Sequence, residues 1–377
     1  MYHRRRKKYG WLVALILLIT TGLLFLFAVP ESPEIQLRVA RENLAQARDA
    51  QAEHYARDTF DKAISLYDSA MSVWRTENQK FLFFRDYEKA SDFAVRAKEF
   101  ALLARASALN NARDAHIETA ASLELLTEKI GNFGKLYADL PLSSKIRDSF
   151  NRAKILLEEI RIARGKENFI QASGMLSEAL RLVDSADSAA AQEVEFFFSS
   201  YGDWKALVDK TLKESARNSS VVIVVDKMAH QLMIYRGGHL RSTYPVEFGP
   251  NWMGDKRHQG DQATPEGRYH VVKKKERRQT RYYKALLLNY PNDEDKARYR
   301  RSVANGAIPK SVDIGGLIEI HGHGGQGFNW TNGCVALSDH HMDAVYRQAS
   351  VNTPVIIAGS LVPMDEWMGI KLAESSK

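Results

Sequence analysis

The sequence predicts an α+β multidomain chain: an N-terminal transmembrane helix, an all-α region of helical hairpins, then a mostly β domain that carries the chemistry. Three observations predict it. Residues 11–29 form an uncharged apolar run. Four glycines fall in 31–200 against seventeen in 201–377. The apolar spacing switches from helical to alternating near residue 220. The expected divisions are a basic cytoplasmic tail over 1–10, a membrane span over 11–29, a helical repeat-like region over 33–215, a catalytic domain over 218–360 and a C-terminal tail over 361–377.

The apolar run, Trp11 to Val29, holds 19 residues. At 1.5 Å per residue it is roughly 28 Å long, enough for a hydrocarbon core. Arg4, Arg5, Arg6, Lys7 and Lys8 stand directly before it. Basic residues stay on the cytoplasmic side, so the rest of the chain is expected outside. The predicted location is therefore the bacterial inner (cytoplasmic) membrane, single-pass, with the folded domains periplasmic or extracellular. The rival reading is a cleaved signal peptide, but the exit Ala28-Val29-Pro30-Glu31 offers no A-x-A-like site. No cysteine stands directly after the run, which excludes lipoprotein processing. Those five basic residues supply most of the formal charge of +7. The remainder is near balance, so a nucleic-acid partner is not indicated.

Residues 33–215 are rich in Ala, Leu, Glu, Lys and Arg at helical spacing, with a break expected around Gly131 to Pro141. A weak repeat spans that break: Phe60 to Leu66 resembles Phe150 to Leu156, and Tyr87 to Ser91 resembles Phe169 to Ser173. Each unit reads as a helical hairpin whose alanines allow close approach. A surface for a protein partner and a plain spacer bundle are both consistent with it.

The second half reads as strands at Val221–Asp226, His230–Arg236, Leu240–Phe248, Arg268–Val272, Ala285–Leu288, Leu317–His321 and Pro354–Ala358. Gly237-Gly238 supplies a turn, and one helix is expected over Asp339–Ala349.

The chemical signal is Ile320-His321-Gly322-His323, a glycine-rich loop, then Thr331-Asn332-Gly333-Cys334. Cys334 is the chain's one cysteine, so no intrachain disulfide exists and the thiol is either a buried hydrophobe or a reactive group. A thiolate is the competent nucleophile, and a neighbouring imidazole can take its proton and hold the ion pair. Glycine before the cysteine allows a sharp turn that exposes backbone N–H donors for an oxyanion. Competing readings are a packed cysteine and a zinc site on His321, His323 and Cys334. Neither C-x-x-C nor H-E-x-x-H accompanies them, so no metal or other cofactor is assigned. His340 and His341 read as surface or capping residues.

These residues resemble the L,D-transpeptidase catalytic domain of the YkuD type, over roughly residues 218–360. The resemblance rests on the opening strand pair, Ala263-Thr264-Pro265-Glu266-Gly267 before a strand, Ile320-His321-Gly322, and Gly333-Cys334 followed by an apolar residue. Asn332 and Ala336 stand where the family usually has histidine and arginine. With Leu288 to Asn292 and Asp295, this is similar to a divergent branch that includes a hydrolase freeing a lipoprotein from peptidoglycan.

The resemblance implies a thiol enzyme of cell-wall biogenesis or remodelling that attacks an L-to-D linkage at diaminopimelate in peptidoglycan stem peptides. It implies Cys334 as thioester-forming nucleophile and His321 as base, oriented by the Gly322 carbonyl, with Gly333 and Cys334 N–H groups as oxyanion donors. His323 is the alternative base. Tyr290, Trp330, Thr331 and Asn332 are candidates for shaping the substrate groove. An amine acceptor would give transpeptidation and water hydrolysis; an inactive wall-binding anchor is the reading from another class. Lys273-Lys274-Lys275 and Arg277-Arg278 either meet wall carboxylates or form a solvated face.

Overall fold

The computed structural model describes residues 6–27 and 30–374, with side chains described at 10–20 and 30–373. Helix α1 spans Arg6–Phe27. Among the described residues no helix is long and apolar enough to cross a membrane. The span expected over 11–29 therefore gains no support from the described residues, and the side chains of residues 21–29 lie outside them.

Helices α2 (Glu34–Asp49), α3 (Ala52–Tyr55), α4 (Arg57–Asn78), α5 (Glu88–Tyr137), α6 (Ser144–Gly165), α7 (Phe169–Phe198) and α8 (Tyr201–Asn218) follow. The chain forms two compact units, one of residues 1–125 and 156–177, the other of 126–155 and 178–377. The division falls inside α5, α6 and α7. The expected break at Gly131 to Pro141 is narrower than that, because α5 runs through both Gly131 and Gly134 to Tyr137.

In the first unit, alanines make the seams. Ala40, Ala70, Ala94 and Ala97 are fully buried with Leu37, and Ala47, Ala52, Ala104 and Ala108 with Phe60. A side chain of one methyl lets helix backbones approach closely and loses no rotamer freedom.

The second unit is built on β1 (Val221–Asp226), β2 (Gln231–Arg236), β3 (His239–Pro245), β4 (Gly267–Glu276), β5 (Lys284–Leu288), β6 (Glu319–His321), β7 (Val335–Ala336) and β8 (Pro354–Ala358). They form one sheet in the order β3-β2-β1-β8-β4-β5-β6-β7. Two pairings are parallel, β1 with β8 and β6 with β7; the rest are antiparallel. Beyond β3, Glu247 exchanges both backbone hydrogen bonds with Ala336 of β7, each 2.9 Å, so the two ends of the sheet meet. That closure brings β6, β7 and the chain after β3 together. Helices α9 (Asp293–Ala304), α10 (Asp339–Gln348) and α11 (Met364–Glu374) complete the unit.

β1 and β8 are continuous apolar runs because both are central and covered on both faces. Helix α8 lies against them through Trp204, whose indole fills the space a side chain on Gly359 would need. Trp204 Nε1 donates to Glu266 at 3.0 Å. Glu266 also pairs at 2.6 Å with Lys227, which is fully buried and donates to the carbonyls of Gly254 and Thr264. Every ammonium proton of Lys227 is therefore used, the condition under which a buried cation is tolerated. The pair fixes the loop between β3 and β4 that leads to the site.

Candidate active site

Cys334 stands one residue before β7, and β7 pairs in parallel with β6 so that Ile320 faces Val335 and His321 faces Ala336. Side chains alternate along a strand, so this register puts Cys334 and His321 on the same face, offset by two positions. The turn before Cys334 depends on Gly333. Its φ is +113°, and a Cβ there would lie 2.5 Å from the Ala263 carbonyl oxygen. The Ala263 to Gly267 segment thus packs directly on the nucleophile turn. Asp261 shapes its approach, accepting from the N–H groups of Arg257, His258 and Ala263 while paired with Lys256 at 2.8 Å.

The thiol is half-buried. Its sulfur accepts the Glu319 N–H at 3.4 Å and lies 3.8 Å from the Leu317 carbonyl. Burial pushes its pKa up to about 11, against the Glu319 N–H bond, which favours the thiolate. His321 is completely buried, and burial takes its pKa down to about 4. Nδ1 meets the Gly322 carbonyl at 2.6 Å, so Nδ1 carries the proton and Nε2 is the basic nitrogen. Nε2 is buried with no hydrogen-bond partner. Cysteine and histidine are thus a neutral, unbonded pair at rest. The expected thiolate–imidazolium pair does not form because both groups lack the water that would stabilise their charges.

Aromatic rings close over His321. Tyr282 stacks on it at 3.5 Å with planes 5° apart, and Trp330 meets it edge-on at 5.8 Å. Trp330 Nε1 donates to Glu247 at 2.8 Å, and Glu247 also takes the Gly327 N–H at 2.7 Å. Asn329 accepts from the Phe248 N–H, and Thr331 N–H donates to the Phe248 carbonyl. The sheet end at Glu247 and Phe248 therefore holds the glycine-rich loop. Sequence reasoning passed over Glu247, Tyr282 and Asn329, because a lone Glu, Tyr or Asn distant in sequence carries no motif.

The remaining candidates separate. Thr331 is buried; its hydroxyl donates to the Cys334 carbonyl at 2.8 Å and accepts the Gly333 N–H at 3.2 Å. That N–H, expected as an oxyanion donor, is engaged at rest. Asn332 is exposed. Tyr290 is a buried core residue, packed on Tyr269 and donating to the Ile314 carbonyl at 3.3 Å. His323 lies beyond the end of β6 with φ +67°, its N–H donating to Asp339 at 2.8 Å. Its exposed ring still reaches the edge of Tyr282, at 6.3 Å. Lys274 and Lys275 are internal struts, on the Tyr346 and Ala349 carbonyls and on Glu319 respectively, so the basic run is only partly solvated. His341 N–H is capped by Ser338 at the start of α10.

Among the described residues no group of three or more His, Cys, Asp or Glu side chains could hold a metal ion. A cavity of about 830 Å³, lined in part by Phe196, Trp204, Asn251, Arg257 and Glu266, lies elsewhere in the same unit and includes neither Cys334 nor His321.

Residues 220–357, from the start of β1 into β8, match the L,D-transpeptidase catalytic domain known as YkuD. Over that segment the chain matches the YkuD family. Among relatives of the L,D-transpeptidase domain is YafK of Escherichia coli (strain K12), provisionally named an L,D-transpeptidase. It is 32% identical over 94 residues, 24% of this chain and 38% of YafK. The chain thus matches less than half the length of that curated relative. Solved structures similar to it include Bdellovibrio bacteriovorus Bd1075, 22% identical with TM-score 0.29, covering 42% of this chain and 55% of that one. The helical cell shape determining protein Pgp2 of Campylobacter jejuni is 23% identical with TM-score 0.30, covering 41% and 52%.

Proposed function

We propose that the L,D-transpeptidase domain uses Cys334 as the nucleophile of an acyl transfer on diaminopimelate-containing stem peptides of peptidoglycan, with His321 as base. The observation that carries this reading is the register of β6 and β7. It sets the thiol beside an imidazole whose Nδ1 is held by Gly322 and whose Nε2 is unengaged. Nε2 takes the thiol proton as the sulfur attacks the carbonyl of the L-to-D linkage. The Cys334 N–H meets the developing oxyanion, joined by the Gly333 N–H as it leaves Thr331. The imidazolium returns its proton to the leaving amine, and a thioester remains on Cys334. An amine acceptor completes transpeptidation; water completes hydrolysis.

Burial favours the neutral form of both thiol and imidazole at rest, so proton transfer accompanies the attack and does not precede it. Peptidoglycan lies outside the cytoplasmic membrane, so this reading also places the catalytic unit on the outer side.

Purified peptidoglycan incubated with the full chain tests the activity by product identification. The account predicts new or lost cross-links in the wild type. It predicts a loss on the order of 10³-fold, about 4 kcal/mol, in Cys334→Ser, because a neutral hydroxyl is the poorer nucleophile. Wild-type turnover in Cys334→Ser would refute the nucleophile. The product distribution separates transfer from hydrolysis.

A further inference from the structure

Arg281 stands in the segment between β4 and β5, directly before the tyrosine that covers the base. Its guanidinium donates to the Tyr282 hydroxyl at 2.7 Å, and its central carbon is 4.9 Å from the Tyr282 ring centre. The same ring stacks on His321. The guanidinium is thus carried at the mouth of the site by the residue that roofs the imidazole. Its charge reaches the reacting groups, favouring the thiolate of Cys334 and opposing protonation of His321.

Three of the lysines around the site are matched. Lys275 pairs with Glu319, Lys256 with Asp261 and Lys284 with Asp343. Arg281 is exposed and forms no ion pair with any carboxylate among the described residues. Glu319, the acid whose charge it feels, is buried and held by Lys275 at 2.7 Å. An unmatched guanidinium presents a planar fork of N–H donors, the geometry that fits a carboxylate with two parallel bonds.

We infer that Arg281 is the carboxylate-recognising residue of this site, positioned by Tyr282 to hold an acyl donor that bears a free carboxylate beside the bond to be cut. The inference deepens the acyl-transfer reading and rests on it for the donor being a stem peptide.

The test uses the full chain, whose single cysteine makes every alkylation a report on Cys334. Iodoacetate and iodoacetamide share a reactive carbon and a leaving group and differ in one negative charge. The ratio of their rate constants cancels the thiolate fraction and leaves only the preference for a carboxylate. At low salt the ratio should be roughly tenfold higher in the wild type than in Arg281→Gln, the scale of one charge-assisted hydrogen bond. Arg281→Lys should keep part of it. Equal ratios in wild type and Arg281→Gln overturn the inference. Should Arg281→Gln not fold, the wild-type ratio decides: it must fall as salt screens the pair, and a ratio unchanged up to about 1 M salt overturns the inference. A shifted ratio in a protein that leaves stem peptides untouched would keep the carboxylate site and remove the peptidoglycan reading.

Discussion

At the residue scale, water exclusion decides the chemistry of Cys334 and His321. Stacked Tyr282, edge-on Trp330 and the buried strand β6 leave His321 with no exposure, and burial is the largest influence on both titrating groups. The histidine and cysteine motifs on either side of the glycine-rich loop suggested an imidazolium that lowers the thiol's pKa. With imidazole at about 4 there is no imidazolium at neutral pH to do so. The sign is therefore opposite: the thiol titrates above an ordinary cysteine, near 11. Iodoacetamide should modify Cys334 with a rate that climbs about tenfold per pH unit from pH 6 to 10, without a plateau. At pH 8 it should be slower than a free thiol by on the order of 100-fold. His321→Ala should leave that profile nearly unchanged while removing turnover. A plateau reached below pH 8 would show an ion pair that the resting geometry does not contain.

At the element scale, legibility followed hydrophobic continuity. β1 and β8 matched their predicted bounds, because buried strands are unbroken apolar runs bounded by polar residues. β4 is longer than its predicted five residues, since Lys273, Lys274 and Lys275 continue it, Lys273 exposed and the ammonium groups of Lys274 and Lys275 bonded to neighbouring groups. Helix α9 escaped notice because its sequence is strongly polar. Its N-terminus nonetheless carries a readable capping box, Asn292 with Asp295. β7 is two residues long, too short for any periodic signal, yet its pairing sets the Cys334 register. The C-terminal segment read as a tail contains α11. For the site, the motif residues His321, Gly333 and Cys334 were legible because glycine and the lone thiol are chemically distinctive. Arg281, Tyr282 and Glu247 were not, because only the fold brings them there.

At the scale of the whole molecule, composition put one boundary near residue 215, whereas the second compact unit also takes in 126–155 and 178–218. Trp204 and the Lys227–Glu266 pair give the physical reason for α8: its indole is bonded into the network that holds the β3–β4 loop. The proposed location outside the membrane predicts that a reporter fused after residue 40 is active only as an exported one; cytoplasmic activity there would contradict it. The most direct test of the central claim is intact-mass spectrometry of the full chain incubated with a stem tetrapeptide and no amine acceptor. The account predicts a covalent acyl adduct that maps to the peptide containing Cys334 and disappears in Cys334→Ala. Products formed without such an adduct, or formed equally by Cys334→Ala, would contradict it.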